Sequence, residues 1–104
     1  MNTPELTAEE RKEALEKAVA VRRARAKVMD GLRSGGMSVS DVIGKGRAGD
    51  PICGKIRVEK LIRALPGWGE ARADRLMREI GIAQGRRVAG LGHRQADALI
   101  RALK

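Results

Sequence analysis

Aromatic residues are almost missing from this chain: it has no Phe and no Tyr, and Trp68 is its one aromatic side chain. Readers of single-stranded nucleic acid and of RNA loops stack bases on aromatic faces, so that class is disfavoured by supply alone. Cysteine is equally scarce. Cys53 has no second thiol to pair with, which excludes an intramolecular disulfide and implies no oxidising compartment; it reads as an inert, small apolar residue. No apolar run approaches the roughly 18 residues of a membrane span. Residues 1–5 are polar and acidic rather than a basic-then-apolar leader, so a cytoplasmic protein with no membrane partner is expected. His93 is the one histidine and reads as a polar residue at a helix start. No His, Cys, Asp or Glu set has ligand spacing, and neither a metal nor a cofactor is expected.

Positive charge is abundant. The 104 residues hold 22 Lys and Arg against 13 Asp and Glu, a net charge of +9. A chain of this length makes one domain with one modest core, and a balance this basic points to a polyanionic partner. The charge is uneven. Residues 1–17 are net −2, residues 18–33 net +4, residues 34–54 neutral and residues 55–104 net +7. Two basic regions are therefore separated by a neutral, glycine-rich stretch.

Helical patterning runs throughout, and the fold class is all-α. Thr7-Ala8-Glu9-Glu10 is a capping box that opens a helix free of breakers until Gly31. Ala14, Ala18, Val21, Val28 and Leu32 trace its apolar stripe. About 27 residues make roughly 40 Å of helix, longer than a domain of this size can cover, so part of it should project beyond the core. Ser34-Gly35-Gly36 ends it. A short helix carrying Val39, Val42 and Ile43 follows, capped by Ser38 or Ser40 and stopped by Gly44-Lys45-Gly46. Residues 47–57 read as irregular, with one turn starting at Asp50-Pro51. Val58, Leu61, Ile62 and Leu65 then define an amphipathic helix. The same phase recurs at Ala73, Leu76, Met77 and Ile80, and again at Ala96, Leu99, Ile100 and Leu103. Met29, Met37 and Met77 read as core or near-core fillers. The expected organisation is a long N-terminal helix with a basic second half over residues 1–34, and a hairpin-bearing helical domain over residues 35–104.

Between two of these helices lies Leu65-Pro66-Gly67-Trp68-Gly69-Glu70-Ala71-Arg72, a helix-hairpin-helix arrangement. Its chemistry is that of an anion site. Glycine lets the turn's amides face outward and an oxyanion approach the backbone, and the next helix adds unpaired N–H groups and the positive end of its dipole. Such a site meets phosphates and reads no base edges. Arg72 sits on the first turn after the hairpin, followed by Arg75 and Arg78. Arg86-Arg87 precede a second glycine pair, Gly90-Leu91-Gly92, which opens a helix bearing Arg94. Each feature also has a structural reading. A Pro-Gly-x-Gly turn connects helices without binding anything, and Gly90 and Gly92 serve equally as end caps. Arginine runs such as that at 22–25 are usually solvated, although Arg22, Arg25 and Arg33 fall near one face with only Asp30 to offset them. Trp68 either packs beneath the hairpin or presents an apolar wedge to DNA.

Over about residues 5–104 the sequence resembles the actinobacterial integration host factors. The ordered set carries the resemblance: Leu6-Thr7-x-Glu9-x-Arg11, Ala14-Leu15-Glu16-Lys17-Ala18 into Arg22-Arg23-Ala24-Arg25-Ala26, Gly35-Gly36, Leu65-Pro66 through Gly69, Arg86-Arg87, and Gly90-Leu91-Gly92-x-Arg94-Gln95. The resemblance implies a long N-terminal helix followed by a helix-two-turns-helix domain. It also implies a nucleoid-associated protein that binds double-stranded DNA with low sequence specificity, bends or compacts it, and assists phage integrases. Carried onto this chain, it places Pro66, Gly67, Trp68 and Gly69 on a phosphate, with Arg86, Arg87 and Arg94 flanking. Arg22, Arg23 and Arg25 become a second DNA contact. The chain departs from the family pattern at Gly67, Trp68, Glu70, Ala89, Ala96 and Asp97.

Three functions compete on this reading. The leading one is an architectural protein, a monomer gripping duplex DNA at two points through Arg33, Arg72 and the residues just named. An RNA-binding protein of ribosomal helix-two-turns-helix type is the alternative, and it usually carries a long basic tail. A DNA glycosylase or lyase needs a nucleophile and a base-flipping pocket, and nothing in the pattern supplies them, so no enzyme is expected.

Overall fold

The computed structural model describes residues 7–103. The polar stretch over residues 1–5, Leu6 of the family-like pattern and Lys104 lie outside the described residues. The helices are α1 (Ala8–Ser34), α2 (Val39–Arg47), α3 (Pro51–Lys55), α4 (Val58–Ala64), α5 (Glu70–Ile80) and α6 (His93–Ala102), with one 3₁₀ turn at Val88–Gly90. Among the described residues no strand forms, only an isolated antiparallel bridge between Arg57 and Arg87.

Helix α1 starts where its cap places it: Thr7 Oγ1 accepts the Glu10 amide proton at 3.1 Å, and Gly35 ends the helix. Gly31 does not stop it. A Cβ at that position would stand 2.6 Å from Met37 Cγ, so the glycine makes room for the chain to fold back beneath the last turn. Of the five stripe residues only Val28 and Leu32 are buried; Ala14, Ala18 and Val21 are exposed, as is every residue from 7 to 23. The helix docks on α3 and α4 by its final two turns and projects with the rest. The result is an elongated molecule, 48 × 33 × 26 Å, with a radius of gyration of 16.2 Å against about 13 Å for a compact chain of 100 residues.

One core holds the remainder. Leu32, Val42, Ile43, Val58, Leu61, Ile62, Met77, Val88 and Leu99 are its largest fully covered side chains, with Met29, Met37 and Trp68 packed at its edge. Helix α2 does not stop at Gly44-Lys45-Gly46 but continues to Arg47. Packing outweighs propensity there: Gly46 lies against Val88 and the Cys53 backbone, where a Cβ would come to 2.4 Å and 3.2 Å. The stretch read as irregular contains α3, held by Asp50, whose Oδ1 accepts from the Ile52 and Cys53 amides at 2.8 and 3.0 Å.

Cys53 sits on α3 as a buried, free thiol. Burial pushes its pKa up, Asp50 adds to the shift, and Lys45 partly opposes it. The thiolate, which is the reactive form, is thus scarce at neutral pH. A thiol-specific reagent at pH 8 is expected to label the native protein far more slowly than the same chain in denaturant, and equal rates would show that the site is open.

Candidate nucleic-acid interface

The hairpin follows from its glycines. Helix α4 gives way at Leu65, Gly67 takes φ +82°, and the Trp68 amide donates back to the Leu65 carbonyl at 3.2 Å. A side chain at Gly67 would be strained, because only glycine enters that left-handed region freely. Gly69 is the N-cap of α5 and has no side chain with which to bond the first-turn amides. Those amides and the dipole behind them are therefore free to meet an oxyanion, although Glu70 on the same turn offsets part of the attraction.

Trp68 is half-buried against the core, and the Arg72 guanidinium lies over its ring, 3.9 Å from the centroid. Arg72 Nη1 also donates to the Gly67 carbonyl at 3.1 Å. The only aromatic residue is thus a foundation for the turn, with Arg72 bracing turn and ring together, a contact worth about 0.5–1 kcal/mol at an exposed site. Pro66 and Gly69 complete the turn on the surface.

The second glycine pair is built differently. Gly92 is the N-cap of α6, and the Gln95 side chain accepts from its amide at 3.0 Å and donates to the Gly81 carbonyl at 3.0 Å. Gln95 ties the start of α6 to the end of α5. Arg86 Nη1 donates to the Gly90 carbonyl at 2.8 Å and braces this loop as Arg72 braces the first. Arg94 stands exposed on the first turn of α6.

A second concave surface lies elsewhere. A cleft of about 810 Å³ runs between the second half of α1 and the α3–α4 segment. Arg22, Arg25 and Arg33 line it from α1, with Arg33 held 3.3 Å from Asp30. Lys55, Arg57, Lys60 and Arg63 face them, Arg63 standing 3.5 Å from Glu59. Arg87 joins them because the bridge to Arg57, made by Val58 N–H to Arg86 O at 3.0 Å and Val88 N–H to Ile56 O at 2.9 Å, staples the 81–92 link to the start of α4.

Two basic regions that are separate in sequence therefore meet across one cleft. Among the described residues Arg22, Arg25, Lys55, Arg57, Lys60 and Arg87 form no ion pair. Arg23 is not part of this constellation. It lies with Lys12, Leu15, Glu16 and Val19 on another side of the projecting helix. Sequence reasoning missed Lys55, Arg57, Lys60 and Arg63. The signal was there in the three-residue spacing of Arg57, Lys60 and Arg63, opposite the apolar face of α4. It meant nothing without knowing that α1 packs alongside.

Comparison with known proteins places this geometry among relatives. Residues 32–103 match the S13-like H2TH domain family. The chain is 46% identical over 100 residues to a protein named integration host factor in Mycobacterium tuberculosis, covering 96% of this chain and 94% of that one. It is also 46% identical over 101 residues to the integration host factor of Streptomyces coelicolor, covering 97% and 94%. A solved structure described as sIHF bound to an 8 bp palindromic DNA superposes with a TM-score of 0.80 at 43% identity, over 86% of this chain and 99% of that one.

Proposed function

This chain belongs to the integration host factor family of actinobacteria, and from that membership we propose that it is a nucleoid-associated architectural protein that binds duplex DNA through its phosphate backbone and bends it. The observation that carries the reading is the pair of anion-binding surfaces on one small fold. The hairpin Pro66, Gly67, Trp68 and Gly69 offers backbone amides to one stretch of phosphates, flanked by Arg72 and Arg94 with Arg86 bracing the loop beside it. The cleft offers cations from α1 and α4 to another, with Arg22, Arg25, Arg33 and Arg87 from the sequence reading joined by Lys55, Arg57, Lys60 and Arg63.

The two surfaces are separate, since no hairpin residue lines the cleft, so a duplex that bends engages both more readily than a straight one. Binding energy at the second surface then favours bending, and deformable sequences bind best. Neither surface presents base-reading geometry, so specificity is low. Arg23 belongs to the same DNA surface only where the duplex reaches around the projecting part of α1. We assign the protein as a cytoplasmic monomer with no catalytic residue. A phage integrase is a partner through shared DNA, because a bent segment brings distant integrase sites together. Among the described residues no helix is long and apolar enough to cross a membrane.

Salt dependence tests the reading. With about six phosphates neutralised, log K against log salt on a short duplex is expected to fall with a slope of about −5. Binding to structured RNA at matched salt should be weaker. An affinity indifferent to salt, or a preference for RNA, overturns the proposal.

A further inference from the structure

The two anion-binding surfaces are not equivalent. Around the hairpins two arginines are already committed, Arg72 to the Gly67 carbonyl and the Trp68 ring, and Arg86 to the Gly90 carbonyl. In the cleft Arg22, Arg25, Lys55, Arg57, Lys60 and Arg87 have no ion-pair partner among the described residues, while Arg33 holds Asp30, the one acid lining it, and Arg63 pairs with Glu59 outside it. Its volume of about 810 Å³ falls within the roughly 300–1,000 Å³ of small-molecule sites. The apolar lining is Ala26, Met29, Ile56 and Ala64, of which the last three are buried or half-buried and so form a floor beneath the exposed cations. A duplex strand has phosphates for the rim but nothing to lay on that floor, because its bases are paired inside the helix. A nucleotide has both.

We infer that the cleft is also the binding site of a small, highly charged nucleotide, a nucleoside triphosphate or a more heavily phosphorylated relative, with the phosphates between Arg25 and Lys60 and the sugar and base over Met29 and Ile56. Contiguous phosphates carry more charge per length than one DNA strand, which presents one charge per about 3.4 Å of axis, so the compact anion suits the converging walls better. For its consequence the inference rests on the two-point DNA reading. A bound nucleotide displaces the strand from the cleft and leaves the hairpin engaged, so the DNA stays bound but straightens.

The test uses the full chain and ATP, with a chelator present and ionic strength fixed by chloride. Saturable one-to-one binding by calorimetry is expected, with NMR shifts at the Met29 and Ile56 methyls and none at the Trp68 indole. Inorganic tripolyphosphate should bind more weakly, having nothing for the floor. Arg25→Ala with Lys60→Ala should weaken ATP by at least about tenfold, the loss expected for removing charged hydrogen-bond donors. Failure to saturate, shifts spread over the hairpin, or tripolyphosphate binding as tightly as ATP overturns the inference. If the double variant loses DNA bending but binds ATP undiminished, the inference fails and the DNA reading stands. If it loses ATP but bends DNA normally, the DNA reading of the cleft fails and the nucleotide site stands.

Discussion

Replacing Arg22, Arg25 and Lys60 together by alanine is expected to abolish DNA bending while leaving residual binding. Each phosphate contact removed takes about 0.9 from the salt slope, so the slope should relax from about −5 to about −2. The three side chains are exposed and unpaired among the described residues, and substitutions of that kind change stability by no more than about 0.5 kcal/mol each. A lost bend therefore reports on binding and not on unfolding. Energy transfer between dyes at the duplex ends reads the angle, and anisotropy across a salt series reads the slope. An unchanged angle and slope, with a normal melting temperature, would place the second contact elsewhere on the molecule.

The second large effect separates two glycines in one helix. Gly46→Ala puts a methyl 2.4 Å from Val88 Cγ1 and 3.2 Å from the Cys53 carbonyl. Val88 is completely buried and cannot retreat. Overpacking of this kind costs about 1–3 kcal/mol, against which the better helix propensity of alanine returns about 1 kcal/mol. A net loss of about 1 kcal/mol, the middle of the resulting range, lowers the melting temperature of a domain this size by about 5 °C. Gly44→Ala, two positions earlier, meets nothing within 4 Å. There the propensity gain acts alone and should raise the melting temperature by about 4 °C. Calorimetry of both variants checks the pair, and a shift of the same sign in each would mean that helix propensity, not the Val88 contact, governs α2. Because Val88 anchors the segment carrying Arg87, Gly46→Ala should also weaken DNA binding, and Gly44→Ala should not.

That pair shows where the sequence was legible and where it was not. Local rules sufficed for α1, marked by its Thr7 cap and its Gly35 stop, and for α4, α5 and α6, marked by their apolar spacing. The hairpin was equally plain, since Pro66, Gly67 and Gly69 specify the turn among themselves. Helix α2 broke the local rule because its second glycine is fixed by a contact with Val88, 42 positions on. The short α3 hid behind its length: five residues carry no periodicity, and only the Asp50-Pro51 cap betrayed it. The cleft was illegible for a related reason. Its two walls are far apart in sequence, and the bridge between Arg57 and Arg87 that aligns them depends on four backbone groups with no side-chain signature. Arg23, adjacent to Arg22 in sequence, falls on another side because neighbouring helical positions are about 100° apart.

The projecting part of α1 has a consequence for how the molecule breathes. From residue 7 to residue 23 every side chain is exposed, so that half of the helix is held by its own hydrogen bonds and the Thr7 cap alone. Helices without tertiary support are marginal in water, whereas those packed on a core open only with the whole domain. Amide hydrogen exchange should therefore divide α1 within a single unbroken helix, with fast exchange up to about Arg23 and slow exchange from Val28 onward. Arg22 and Arg25 stand at that border, so DNA held by them should slow exchange in the turns just before it, and the protein would stiffen along its own axis as it closes on the duplex.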